Sequence, residues 1–170
     1  MECTLRAWRG EDAAALARLL NNKHILDNLR DGLPYPYTER DGAEYIAAML
    51  ASDPARTFAF AITAGGRVVG SIGAFRCDNI HFRTAELGYY IGEEYWGQGL
   101  GTSAVRQLCA HVFRESDIIR IFAEPFACNT ASCRVLEKAG FQFEGVLRRN
   151  AVKNGRVLDM RMYSQIRPEV

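Results

Sequence analysis

The chain reads as a mixed α/β fold: a central, mostly antiparallel sheet of about seven strands with helices on both faces. Two observations predict it. A run of strand signals joined by glycine turns stands beside two strand-to-helix units. The hydrophobic periodicity then gives the order β-α-α-β-β-β-α-β-α-β-β.

Leu5 to Trp8 is a short first strand. Gly10-Glu11-Asp12 starts a helix whose buried face is Leu16, Leu19 and Leu20. Pro34-Tyr35-Pro36-Tyr37 breaks the chain, and Thr38 caps a second helix with Asp41 three residues on. That helix has Tyr45, Ile46, Met49 and Leu50 as its apolar stripe. Phe58 to Thr63 and Val68 to Phe75 are strands joined across Gly65-Gly66. Ala85 to Ile91 is a strand. A glycine-rich stretch, Gly97-Gln98-Gly99-Leu100-Gly101-Thr102, leads into a helix on which Val105, Leu108, Cys109, Val112 and Phe113 share one face. Ile118 to Glu124 is a strand, and Thr130 to Ala139 a helix opened by Asn129 and stopped by Gly140. Phe143 to Arg149 and Val157 to Ile166 pair across Asn154-Gly155, a strong hairpin signal.

The 170 residues contain no repeat, low-complexity stretch or linker, so 1–170 is expected to be a single domain. Lys plus Arg is 21 against 20 Asp plus Glu, which gives no general pull toward nucleic acid or anionic membrane. No apolar run approaches the roughly 18 to 20 residues that span a bilayer, and Met1-Glu2-Cys3 does not open a signal peptide. The five cysteines lack a Cys-x-x-Cys pair and read as reduced thiols. The expected location is the cytoplasm. Metal-ligand spacing is absent, so no metal is expected. The three histidines have no context that would activate a cysteine nucleophile.

Three glycines at alternate positions between a strand and a helix allow close backbone approach to a ligand. The helix start offers unpaired N–H groups and partial positive charge. Together they form an anion site suited to a pyrophosphate. The Lys-Ser/Thr ending of a Walker A loop and the G-x-G-x-x-G spacing of a dinucleotide site are both missing. A glycine-rich turn with no ligand is the competing reading.

Tyr95-Trp96-Gly97-Gln98-Gly99-Leu100-Gly101-Thr102 resembles the Arg/Gln-x-x-Gly-x-Gly/Ala motif of the GCN5-related N-acetyltransferase (GNAT) superfamily, with Trp96 where the first Arg/Gln usually stands. Asn129-x-x-Ser132-x-x-x-Leu136-Glu137-Lys138-x-Gly140-Phe141 is similar to the next β-α unit of that family. The segments Pro34 to Thr38 and Asn154 to Tyr163 resemble its RimJ/RimL-like branch, which modifies N-termini of ribosomal proteins. The resemblance implies the GNAT fold, with two neighbouring parallel strands, Ala85 to Ile91 and Ile118 to Glu124, splayed to admit pantetheine. It implies acetyl-CoA as acyl donor. Backbone around Ile91 would pair with the pantetheine amides. Gly97, Gln98, Gly99, Leu100, Gly101 and Thr102 would hold the pyrophosphate, and Asn129 would contact the pantetheine arm.

Acetyl transfer to an amine needs a neutral nucleophile, a stabilised oxyanion and a partner for the departing thiolate. Glu86, on the strand entering the cleft among Leu87, Tyr89, Tyr90 and Ile91, is the candidate base. A structural glutamate paired with an arginine is the competing reading. Ser132 is the candidate hydrogen-bond donor to the thiolate, against a first-turn serine that bonds backbone. Leu136 stands where many relatives place a tyrosine acid. Tyr35, Tyr37 and Tyr90 are candidates for the acceptor wall, and one of Tyr89 and Tyr90 is expected in the core, since strand neighbours face opposite ways. Arg148, Arg149 and Lys153 read as a solvated basic face.

The implied activity is transfer of an acetyl group to a primary amine by direct attack on the thioester. The branch resemblance points to a protein N-terminal α-amine. A small amine (amino acid, polyamine or aminoglycoside) and a non-catalytic acyl-CoA sensor are the alternatives. A monomer or a homodimer is expected.

Overall fold

The computed structural model describes residues 2–169. Among them are seven strands: β1 (Thr4–Arg6), β2 (Thr57–Ala64), β3 (Arg67–Arg76), β4 (Thr84–Ile91), β5 (Arg120–Ala123), β6 (Gln142–Lys153) and β7 (Arg156–Ile166). The α-helices are α1 (Ala13–Leu20), α2 (Lys23–Leu26), α3 (Glu39–Ala51), α4 (Leu100–Glu115) and α5 (Thr130–Lys138). One sheet takes the strands in the order β1-β2-β3-β4-β5-β7-β6. Every neighbouring pair is antiparallel except β4–β5. This is the mixed sheet expected from the sequence.

Alternation along the strands divides the core into two layers. Phe58 and Ile62 of β2, Val69 and Ile72 of β3, and Ala85, Leu87 and Ile91 of β4 face α4 and α5. Ala61, Val68 and the half-buried Tyr90 face α1, α2 and α3. On α4 the stripe Val105, Leu108, Cys109 and Val112 is buried, and each such side chain contributes about 1.5–3 kcal/mol of apolar transfer when it is leucine-sized. Thr38 and Asp41 cap α3 reciprocally, Thr38 Oγ1 accepting from the Asp41 N–H at 3.1 Å and Asp41 Oδ2 from the Thr38 N–H at 2.8 Å. Two expectations fail locally. Leu50 is exposed rather than on the buried stripe of α3. A helix, α2, absent from the element order read in the sequence, stands between α1 and α3, capped by Asn22, which accepts from the His24 N–H at 2.9 Å.

The feature that positions the site is the short parallel contact. β4 and β5 pair only at Thr84↔Arg120, Ala85↔Ile121 and Glu86↔Phe122. Beyond Glu86, β4 runs on to Ile91 against β3 alone. The chain after β5 stays with β7 instead: Phe126 bridges Met160, Pro125 O accepts from the Arg161 N–H at 2.9 Å, and the Ala127 N–H donates to Asp159 O at 2.9 Å.

An ion pair clamps β5 to β6 across β7. Arg120 holds Glu144 through two nitrogens at 2.8 and 2.6 Å, and the Ser164 hydroxyl donates to the same carboxylate at 2.6 Å. These bonds hold the Glu144 carboxyl at about 2. A depressed carboxyl contributes stability that is present above its unfolded value, near pH ~4.3, and is lost as pH falls toward the folded one. Glu144→Gln is therefore expected to flatten the acid limb of the stability curve between about pH 4.3 and 2, read by urea unfolding at several pH values. An unchanged acid limb would remove the pair from the acid response.

Candidate active site

The opening between β4 and β5 is a cleft of about 1070 Å³. Its walls come from β4, the loop 97–102, the start of α5, residues 123–125 and the loop that follows α2. From Glu86 to Ile91 the free edge of β4 extends over roughly 16 Å, five steps at ~3.3 Å. N–H and C=O groups on that edge have no strand partner beyond Glu86. An extended amide-bearing chain can take their place.

The loop at the open end leaves helix-start N–H groups free. Gly97 has φ +74° and Gly99 φ +77°, a left-handed conformation that side-chain-bearing residues adopt at a cost, and a Cβ at either would meet nothing within 4 Å. Gly99 is the N-cap of α4 and supplies no side-chain cap. The first helical bond runs from the Ser103 N–H to Gly99 O at 3.1 Å. Leu100, Gly101 and Thr102 therefore present N–H groups at the positive end of a sixteen-residue helix. A Cβ at Gly101 would meet the Tyr89 ring at 3.4 Å and Val135 at 3.5 Å, so the backbone there packs closely between β4 and α5. The Trp96 indole N–H donates to Ile91 O at 2.7 Å, tying the loop to the end of β4 and leaving that carbonyl one lone pair. Arg134 and Lys138 of α5, neither of them a site candidate from the sequence, add positive charge to the cleft wall.

Asn129 caps α5, its Oδ1 accepting from the Ser132 N–H at 3.2 Å, and both residues line the cleft. The Ser132 hydroxyl lies 3.1 Å from the Tyr89 hydroxyl. Burial pushes the Tyr89 phenol up to about 12, with Ser132 opposing the shift. Tyr89 thus sits on the α4–α5 side with Ser132, while Tyr90 sits on the α1–α3 side, where burial raises its phenol well above the ordinary value.

Glu86 and Gly88 share the Tyr90 side of β4 by strand alternation. A Cβ at Gly88 would meet nothing within 4 Å, so the cleft reaches the strand between a carboxylate and a phenol. Glu86 is ion-paired with Arg30. Arg30 also reaches Glu124, just past β5, at 3.4 Å. Burial, then the Glu86 charge, push the Glu124 carboxyl up, and Arg30 pulls it down. Glu124 and Arg30 had no local sequence signal, because Arg30 lies 94 residues from Glu124 and 56 from Glu86.

Three sequence expectations are corrected by position. Tyr37 is buried in the α1–α3 layer, its backbone held by Asn21 at 2.7 and 2.6 Å, and does not line the cleft. Tyr35 is exposed outside the cleft, beneath the Lys23 ammonium. Lys153 is not part of a solvated face: its ammonium pairs with Asp31 at 2.8 Å and is nearly buried. Among the described residues no group of three or more His, Cys, Asp and Glu is placed to hold a metal, and no helix is long and apolar enough to cross a membrane.

A splayed parallel pair, a glycine loop at a helix start and a capped helix facing it define an acyl-CoA-dependent acetyltransferase. Residues 2–142 match the family model described as an acetyltransferase (GNAT) domain, and the chain belongs to that family. It is 29% identical over 170 residues to an uncharacterized N-acetyltransferase, p20, of Bacillus licheniformis, covering 98% of this chain and 93% of that one. It is 26% identical over 163 residues to the spermidine N(1)-acetyltransferase of Vibrio cholerae, covering 95% and 92%. Among solved structures, RimL, a ribosomal L7/L12 alpha-N-protein acetyltransferase in complex with coenzyme A, superposes with a TM-score of 0.86 at 25% identity, covering 98% and 94%. The chain is an N-acetyltransferase with acetyl-CoA as its acyl donor.

Gly99→Val tests the loop. Forcing a side chain into the left-handed conformation costs about 1–2 kcal/mol, so the melting temperature should fall by roughly 2–8 °C. Moving the helix-start N–H groups should weaken acetyl-CoA binding by more than about tenfold. Calorimetry showing unchanged affinity in the folded variant would remove the loop from donor binding.

Proposed function

We propose that the enzyme acetylates the α-amine of a protein N-terminus in the cytoplasm, a ribosomal protein being one such acceptor. The observation that carries this choice is how the acidic side chains on the acceptor side are used. Asp27 accepts from Asn154 at 3.0 Å and Asp31 pairs with Lys153 at 2.8 Å. These two carboxylates are thus engaged by residues at the β6–β7 turn. Glu86 and Glu124 remain for one cation, which suits a single amine better than a chain of spaced ones. The likeness to RimL supports the same reading. The likeness to a spermidine acetyltransferase keeps a polyamine as the alternative.

The donor supplies a thioester carbonyl. Glu86 takes the proton of the acceptor ammonium, directly or through water, so that the amine can attack. The C–N bond forms, the C–S bond breaks, and the sulfur leaves as a thiolate. Nitrogen gives up two protons for each amide made: one through Glu86 to solvent, and one that ends on the departing sulfur or in solvent. Ser132 donates to the thiolate and Tyr89 orients Ser132. Full proton transfer from Tyr89 is unfavourable. Burial pushes the Tyr89 phenol up to about 12, which makes it a poor proton donor to a thiolate whose conjugate acid lies at about 8.5. The pair therefore acts by hydrogen bonding.

Thiol release from acetyl-CoA should be fastest with peptides beginning in Ser or Ala. Spermidine exceeding those peptides tenfold in kcat/KM would overturn the choice of acceptor. Glu86→Gln should lower kcat/KM by roughly 10²-fold and erase the acidic limb of the pH–rate profile. A retained limb would make Glu86 structural. Ser132→Ala should lower kcat by about 10-fold to 10³-fold with little change in KM for acetyl-CoA. Full activity in the folded variant would exclude Ser132 from the mechanism.

A further inference from the structure

We propose that Glu86 and Glu124 together receive the acceptor amine as a cation, and that Arg30 is the side chain this cation displaces. The inference rests on the α1–α3 side of the cleft being the acceptor side.

Arg30 meets both carboxylates with the same atom, Nη2. The strong mode of a guanidinium is two parallel bonds to one carboxylate, as Arg120 makes with Glu144. One nitrogen shared between two carboxylates is instead the geometry of a primary ammonium, which carries three donors on one atom. Arg30 fills this place poorly, and an amine fills it well.

The carboxylates are held and the cation is not. The Arg30 side chain is 61% exposed, against 29% for Glu86 and 20% for Glu124. Glu86 sits on a strand paired on both sides, with Phe75 and Phe122. Glu124 precedes Pro125, whose carbonyl is bonded to β7. Arg30 lies on a loop pinned on either side of it, Asp27 to Asn154 and Asp31 to Lys153. Its side chain can leave the carboxylates without the loop moving. Open space at Gly88, next to Glu86 on the same side of β4, gives the incoming amine a path to the gap between the strands. The upward push on the Glu124 carboxyl by burial and Glu86 fits two carboxylates that need one cation between them.

The consequence is selectivity for a monocation of small head. A neutral group cannot replace Arg30, and an anion is repelled.

The test uses n-propylammonium chloride as the probe and n-propanol as its neutral counterpart. Both are titrated into the full chain and followed by the side-chain carboxyl carbon shifts of Glu86 and Glu124. Removing an exposed ion-pair competitor is worth up to ~1 kcal/mol, so Arg30→Ala should bind propylammonium about threefold to fivefold more tightly than the parent. Arg30→Gln, which keeps the length without the charge, should do the same. Adding Glu124→Gln should lose that gain, and propanol should bind none of them. Equal affinity in parent and Arg30→Ala, or a gain that survives Glu124→Gln, would overturn the proposal. Acetyl-CoA binding, measured separately by calorimetry, should be unchanged in every variant. Its loss in the parent would instead count against the donor cleft.

Discussion

Pairing between β4 and β5 stops after Glu86 and Phe122, and the cause lies on the far side of β5. Pro125 has no N–H, and the bonds at residues 125–127 go to β7 through Arg161 and Asp159. The chain therefore follows β7 as it turns away from β4. The edge of β4 beyond Glu86 is thereby left without a strand neighbour on the β5 side, and its N–H and C=O groups face the cleft. The glycine loop, the α4 start and Asn129 all gain their positions from this one divergence.

Because the gap passes through the sheet, it has two chemically different sides. Ser132 and Tyr89 lie toward α5, and Glu86, Tyr90, Arg30 and Glu124 toward the loop after α2. A nucleophile and a leaving group on opposite sides of a carbonyl need such an arrangement. The strand alternation that sorts the core into two layers also puts the Glu86 carboxylate and the Ser132–Tyr89 hydroxyls on opposite sides of β4, with no further structure required.

Where the signal is local, the sequence was sufficient. Thr38 and Asp41 capped α3, Asn154-Gly155 turned the last hairpin, and the alternate glycines marked the start of α4. What was missed depends on contacts between distant segments. Arg30 reaches Glu124 across 94 residues, and Lys153 reaches Asp31 across 122. Neither partner has a motif around it. Tyr37 followed two prolines in a stretch that read as a surface wall, yet the Asn21 side chain takes both of its backbone groups and turns the ring inward. The four residues of α2 are too few for a 3.6-residue period to register.

The chain's two tryptophans are placed in opposite surroundings. Trp8 is buried against Tyr45, far down in the α1–α3 layer. Trp96 is half exposed on the cleft wall, with its indole on the last residue of β4. The molecule thus carries an intrinsic optical reporter: one indole stands in the cleft wall and senses its solvent, and the other sits in the core as an internal reference. Fluorescence from the unlabelled protein separates occupancy of the cleft from integrity of the core.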